Sequence, residues 1–125
     1  MLTQRNPREA YRRVDFDARV SGASPQELVR LCYEQVITSL AGALLAAERK
    51  DNLVKSRSLT RAMSALTALQ MGVSGSDSMA QALLHIYTAA RRAVLDSVLV
   101  FDEDTIRQVR QDFIDIAQSM GGGGA

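Results

Sequence analysis

The sequence has no tryptophan, one cysteine, one histidine and only 5% aromatic residues, and each shortage closes off a class of function. With Cys32 alone, no intrachain disulfide can form and nothing points to an oxidising compartment. Cys32 lies between Leu31 and Tyr33 on an apolar face and reads as a small buried hydrophobe, not a nucleophile. His85, flanked by Leu84 and Ile86, has no second histidine or cysteine at a spacing that completes a metal site. It reads as a helix-surface or core-edge residue, since acid–base work needs a positioned partner. The glycines of Gly72-Val73-Ser74-Gly75 follow no strand and precede no lysine, so a phosphate loop is not expected. No constellation for catalysis remains. An enzyme is not expected, nor a cofactor or metal site.

Long apolar runs are missing as well. The longest uncharged stretch inside the expected helices, Gln35 to Ala47, is short of the roughly 20 mostly apolar residues that span a bilayer. The polar, arginine-bearing start of the chain does not resemble a signal peptide. The expectation is a cytoplasmic protein with no membrane insertion.

What the chain does have is helix-forming material. Its 125 residues, 46% of them hydrophobic, suffice for one core and are too few for two. Alanine, leucine, arginine and glutamine lose little rotamer freedom in a helix, which favours an all-α fold. Ser24-Pro25-Gln26-Glu27 combines an N-cap serine, proline at the first helical position and glutamate three residues after the cap, predicting a helix from Pro25 to about Arg49. Asp51 or Asn52 can cap a second, with Leu59, Ala62, Met63, Leu66 and Leu69 at helical spacing until Gly72 and Gly75. A third starts near Ser76-Asp77-Ser78 and carries Met79, Leu83, Ile86, Tyr87, Ala90, Val94 and Val98 up to Phe101. Asp102 caps a fourth, whose narrow stripe is Ile106, Val109, Phe113, Ile116, Ala117 and Met120. Short links between long helices predict an antiparallel up-and-down four-helix bundle over residues 24–120. Residues 1–23 form a short N-terminal helical or extended segment, a candidate mobile cap on which Tyr11 and Val14 would share one face, and residues 121–125 a flexible glycine tail.

Charge is unevenly spread although the net value is +1. Arg49, Lys50, Lys55, Arg57 and Arg61 face only Asp51 in their stretch, whereas acids outnumber Arg107 and Arg110 after residue 95. A nucleic-acid patch would need interleaved aromatics and a more basic chain, so a solvated face is the plainer reading.

The first helix is too apolar for one buried face. Two stripes run along it: Leu28, Leu31, Cys32, Ser39, Ala43 and Ala46 on one side, and Val29, Tyr33, Val36, Leu40, Leu44 and Ala47 on the other. Leu84, Leu95, Leu99 and Val100 give the third helix a milder surplus. Deeper burial or a homodimer seam would absorb the excess. A groove for amphipathic partner helices would do so equally well. On the groove reading, Leu40→Asp or Leu44→Asp weakens partner binding and leaves the fold intact.

These residues resemble a family, the flagellar export chaperones for flagellin known as FliS. Its first helix carries a pattern similar to Ser24-Pro25-Gln26-Glu27-Leu28 followed by Leu31-Cys32-Tyr33-Glu34, and its third helix one similar to Ile86-Tyr87 followed by Arg91 and Arg92. Tyr11 matches a tyrosine ahead of the first helix. The likeness extends from Tyr11 to about Met120, with departures at Cys32, at Ser97-Val98 and at Met120. It implies a cytoplasmic helical bundle that binds the disordered C-terminal segment of flagellin, prevents early polymerisation and helps present it to the export gate. No cofactor and no nucleic acid are expected from the residues, and the free state is expected to be a monomer or weak homodimer. The flagellin-contacting residues are then expected among Tyr11, Val14, Val29, Tyr33, Val36, Ile37, Leu40, Leu44, Tyr87, Leu95 and Leu99.

Overall fold

A computed structural model describes residues 16–121. Tyr11, Val14 and the tail beyond Gly121 lie outside these residues, and so do the expectations attached to them. Among the described residues the chain is all-α, with no strand: a short helix α1 over residues 16–21, then α2 (Pro25–Glu48), α3 (Asn52–Gly72), α4 (Ser78–Leu99) and α5 (Glu103–Gly121).

Each long helix starts where a side-chain oxygen can take an orphan backbone N–H. Ser24 Oγ accepts from the Glu27 N–H at 3.2 Å, Asp51 Oδ1 from Val54 at 3.1 Å, Asp77 Oδ1 from Ala80 at 2.8 Å and Asp102 Oδ1 from Thr105 at 3.1 Å. At α2 the Glu27 carboxylate, three residues after the cap, turns to the Arg30 guanidinium instead of back to the cap. The link from α2 to α3 is a short turn over residues 49–51. The N–H of Asp51 donates to the Ala46 carbonyl at 2.8 Å and that of Lys50 to Ala47 at 3.1 Å, with Lys50 at φ 59° in the left-handed region where glycine is usual. Asp51 ends one turn and caps the next helix, so α3 has to fold back along α2.

Named pairs fix how the helices lie. Gly42 of α2 faces Ser58 of α3 so closely that a Cβ there would sit 3.2 Å from Ser58 Oγ. Gln70 of α3 donates to Thr88 Oγ1 of α4 at 3.0 Å, the Arg91 guanidinium donates to Thr67 Oγ1 at 2.8 Å, and Lys55 Nζ stands 5.0 Å from the centre of the Phe101 ring. Arg110 of α5 donates to the Ile37 carbonyl of α2 at 3.1 Å. From α3 to α4 one number rises as the other falls, so these two helices run in opposite directions.

The core differs from the expected stripes on two helices. Tyr33, Val36 and Leu40, taken from the sequence as a surplus face of α2, are sealed inside with Leu31, Leu59, Leu66, Val94, Ile106 and Phe113. The reason is that α2 is walled on several sides, by α3 and α5 as neighbours and by α4 across Tyr33 and Tyr87. On α4 the buried line is Ala80, Tyr87, Ala90, Val94 and Ser97, while Met79 and Val98, expected in the core, are exposed. On α5 Ile106, Val109 and Phe113 are buried as expected, and Met120 is exposed.

Taken whole, α2 is also long and apolar enough to cross a membrane by length and composition, contrary to the expectation from its uncharged run. Tolerating Arg30 or Glu34 within the window lengthens the apolar stretch. Its buried side chains build the domain core.

Burial of Leu40 reverses the expected outcome of a charge at that position. Leu40→Asp places a carboxylate where neither water nor a cation reaches it, at a cost of several kcal/mol. Circular dichroism melts should show the variant largely unfolded, and a native-like melt would contradict this packing.

Candidate partner-binding groove

One large open volume lies against α2. It measures about 1090 Å³ and runs between the N-terminal half of α2 and α3, reaching α1, the start of α4 and Met120. Its existence follows from side-chain size. Where Gly42 meets Ser58 the two helices touch, but nearer the start of α2 the facing positions are Cys32, Ala65 and Ala68, too small to fill the space between the helices.

The walls differ in character. Leu28, Val29 and Cys32 make the α2 wall apolar, and Leu69, Leu83 and Tyr87 add apolar surface beside it. The α3 wall presents Ser56, Thr60 and Ser64 at intervals of one helical turn, with Arg57 and Arg61 interleaved. At one end α1 contributes Phe16 and Val20. An ion pair from Arg19 to Glu34 at 2.8 Å holds α1 along α2, and the Ala23 N–H closes the intervening turn on the Val20 carbonyl at 3.2 Å.

Beside the groove three rings join three helices. Phe113 lies 5.2 Å from Tyr33 and 6.1 Å from Tyr87 between ring centres, and the two phenol oxygens are 2.7 Å apart. Each hydroxyl gives the other a partner in a buried site. Burial, reinforced by the bond to Tyr87, pushes the Tyr33 phenol far above its ordinary value; burial raises Tyr87 as well. Burial also raises the Cys32 thiol, which keeps it protonated and poorly nucleophilic.

The sequence-expected contact residues are scattered. Val29 and Tyr87 line the groove. Tyr33, Val36 and Leu40 are core, and Ile37 and Leu44 pack half-buried against it. Leu95 and Leu99 are exposed near the far end of α4, Leu99 to 83%, together with Val98 and Val100. The sequence reading missed Phe16, Val20, Leu28, Arg57, Arg61 and the hydroxyl row of α3. The one signal for them was the i, i+4 repeat of Ser56, Thr60 and Ser64 beside Arg57 and Arg61. The basic stretch does not form one phosphate-tracking surface, since Lys55 turns to Phe101 while Arg57 and Arg61 turn to the groove. Among the described residues no three His, Cys, Asp or Glu side chains gather as a metal site.

The ring junction makes a double-mutant prediction. Tyr33→Phe or Tyr87→Phe alone leaves a buried hydroxyl unpaired and should cost about 1–3 kcal/mol, whereas the double change should cost less than the sum. The pair's neutral form contributes fully below pH about 10, where unfolded phenols keep their protons, and its contribution falls above that as the unfolded chain alone ionises. Urea melts across this range check both, and additive costs would contradict the pairing.

Residues 7–119 match the family model described as flagellar protein FliS. No curated protein gives a significant match to the chain.

Proposed function

The chain belongs to the FliS family of flagellar export chaperones, and on that premise we propose that it binds the C-terminal segment of flagellin in the cytoplasm. Binding would keep that segment from polymerising early and deliver it to the gate of the flagellar type III secretion apparatus. The observation that carries the reading is the groove beside α2: an apolar wall and floor, about 1090 Å³, open along two helices. Flagellin subunits join by packing apolar helix faces, and a chaperone that buries such a face removes the assembly surface without chemistry. A client disordered when free gains helix as it binds and offsets its ordering cost by burying apolar area.

On this reading the four long helices, residues 24–120, act as one antiparallel up-and-down bundle that holds the groove open. The segment 1–23 serves as a cap on the groove. Its described end, α1, already lies at the groove with Phe16 and Val20, where a client helix would have to pass or displace it. Displacement would lower apparent affinity by the fraction of molecules in the capped state. The direct contact in the groove is Val29, with the buried Tyr87 backing it, and Leu95 and Leu99 at the exposed far end of α4 are a further site for a wrapped client. The free protein is a monomer or weak homodimer.

Calorimetry with purified flagellin tests the reading. Full-length flagellin and its isolated C-terminal peptide should both bind, the peptide with a rise in helix signal, and flagellin lacking its last few dozen residues should not. Equal binding of full-length and truncated flagellin would contradict the assignment.

A further inference from the structure

The two walls of the groove carry information about the partner beyond the need for an apolar face. Helix α3 holds Lys55, Arg57 and Arg61 and no aspartate or glutamate anywhere from Asn52 to Gly72. Lys55 is committed to the Phe101 ring, on the side of α3 that meets α4. Arg57 and Arg61 are one turn apart, half-buried, and line the groove. Among the described residues the acids that line the groove are Asp77, engaged as the cap of α4, and Asp17 on α1. A helix laid between the walls would thus meet aliphatic surface on one flank and a pair of guanidiniums on the other.

We infer that the groove selects a helix whose apolar stripe is bordered, on the α3 side, by carboxylates one turn apart, and that Arg57 and Arg61 read them. This rests on the groove being the client seat. Carboxylates at i and i+4 on the partner repeat at the same one-turn interval as the two arginines, so one register satisfies both. A guanidinium takes a carboxylate in a planar, two-bonded fork, and Thr60 between them can donate to a remaining oxygen. Both arginines already interact within the chain, so a partner carboxylate joins or replaces an existing interaction, and the gain is the difference. Half-burial keeps that difference from being fully screened, and a cationic flank on the partner would be repelled from the same positions. The two arginines therefore act chiefly on selectivity and register, with affinity coming from the apolar wall.

The test uses the full chain and three synthetic helical peptides with one shared apolar stripe, flanked on one side by two glutamates, two glutamines or two lysines at i, i+4. Calorimetry at low salt should rank the glutamate peptide about tenfold tighter than the lysine peptide, with glutamine between, and the three should converge near 1 M salt. Arg57→Gln/Arg61→Gln should abolish the ranking, and Arg57→Glu/Arg61→Glu should invert it, in proteins whose melts match the parent. If the charge-reversed protein melts early, the glutamine pair decides alone. Equal affinities, no binding by any peptide, or a ranking that survives in folded variants would overturn the inference. A parallel arm with flagellin's C-terminal peptide separates the two claims. A bound tail with no peptide ranking refutes the arginine reading alone, and a clear ranking with an unbound tail refutes the flagellin reading alone.

Discussion

Helix α2 has to be buried on more than one face, and the rest of the structure follows from how that is done. Its Tyr33 crosses to Tyr87 of α4 and Phe113 of α5, so three helices meet at one aromatic junction. The polar ends of that junction satisfy one another, which lets two tyrosines sit where an unpaired hydroxyl would be costly. Val36 and Leu40 then fall inside, and Gly42 lets α3 close against the next turn. The apolar excess of α2 is mostly consumed by its own domain. What is left over is the N-terminal half, where Leu28, Val29 and Cys32 look into open space.

A rigid, half-open wall of this kind suits a chaperone that works by occupancy. Helices packed against one another present a groove wall before any partner arrives, so much of the ordering cost falls on the client. The α1 segment, tied to α2 through Arg19 and Glu34, sits at the same wall. An exposed ion pair is worth little, so this contact can be exchanged for a client without a large penalty.

The helices were legible in the sequence because their signals are local. Ser24-Pro25, Asp51, Asp77 and Asp102 each stand at a helix start and each cap one. The narrow stripe of α5 could be read because a helix with one apolar face has one way to pack. The surplus face of α2 was misplaced because periodicity gives angles around a helix and not the number of neighbours it will have. Two stripes with α3, α4 and α5 around them leave nothing over in the middle; the opening appears where the neighbour's side chains are small, at Ala65 and Ala68. That depends on which residues face each other across α2 and α3, a pairing set by the Lys50–Asp51 turn some fifteen residues away. Family membership was recoverable from ordered fragments such as Ser24-Pro25 and Ile86-Tyr87, whereas the groove was not, since Tyr87 contributes to it only together with distant partners.

The central claim is that client flagellin sits in the groove between α2 and α3, and the chain carries its own reporter there. Cys32 is its single cysteine and lines that groove half-buried, with a thiol whose pKa burial raises, so alkaline buffer supplies the thiolate that reacts with a small alkylating reagent. The measurement is the alkylation rate of Cys32 in the unmodified protein, with and without saturating C-terminal flagellin peptide. The account predicts a rate at least tenfold slower in the complex, because a seated helix covers the α2 wall. An unchanged rate in a protein shown to have bound the peptide would place the client elsewhere and contradict it.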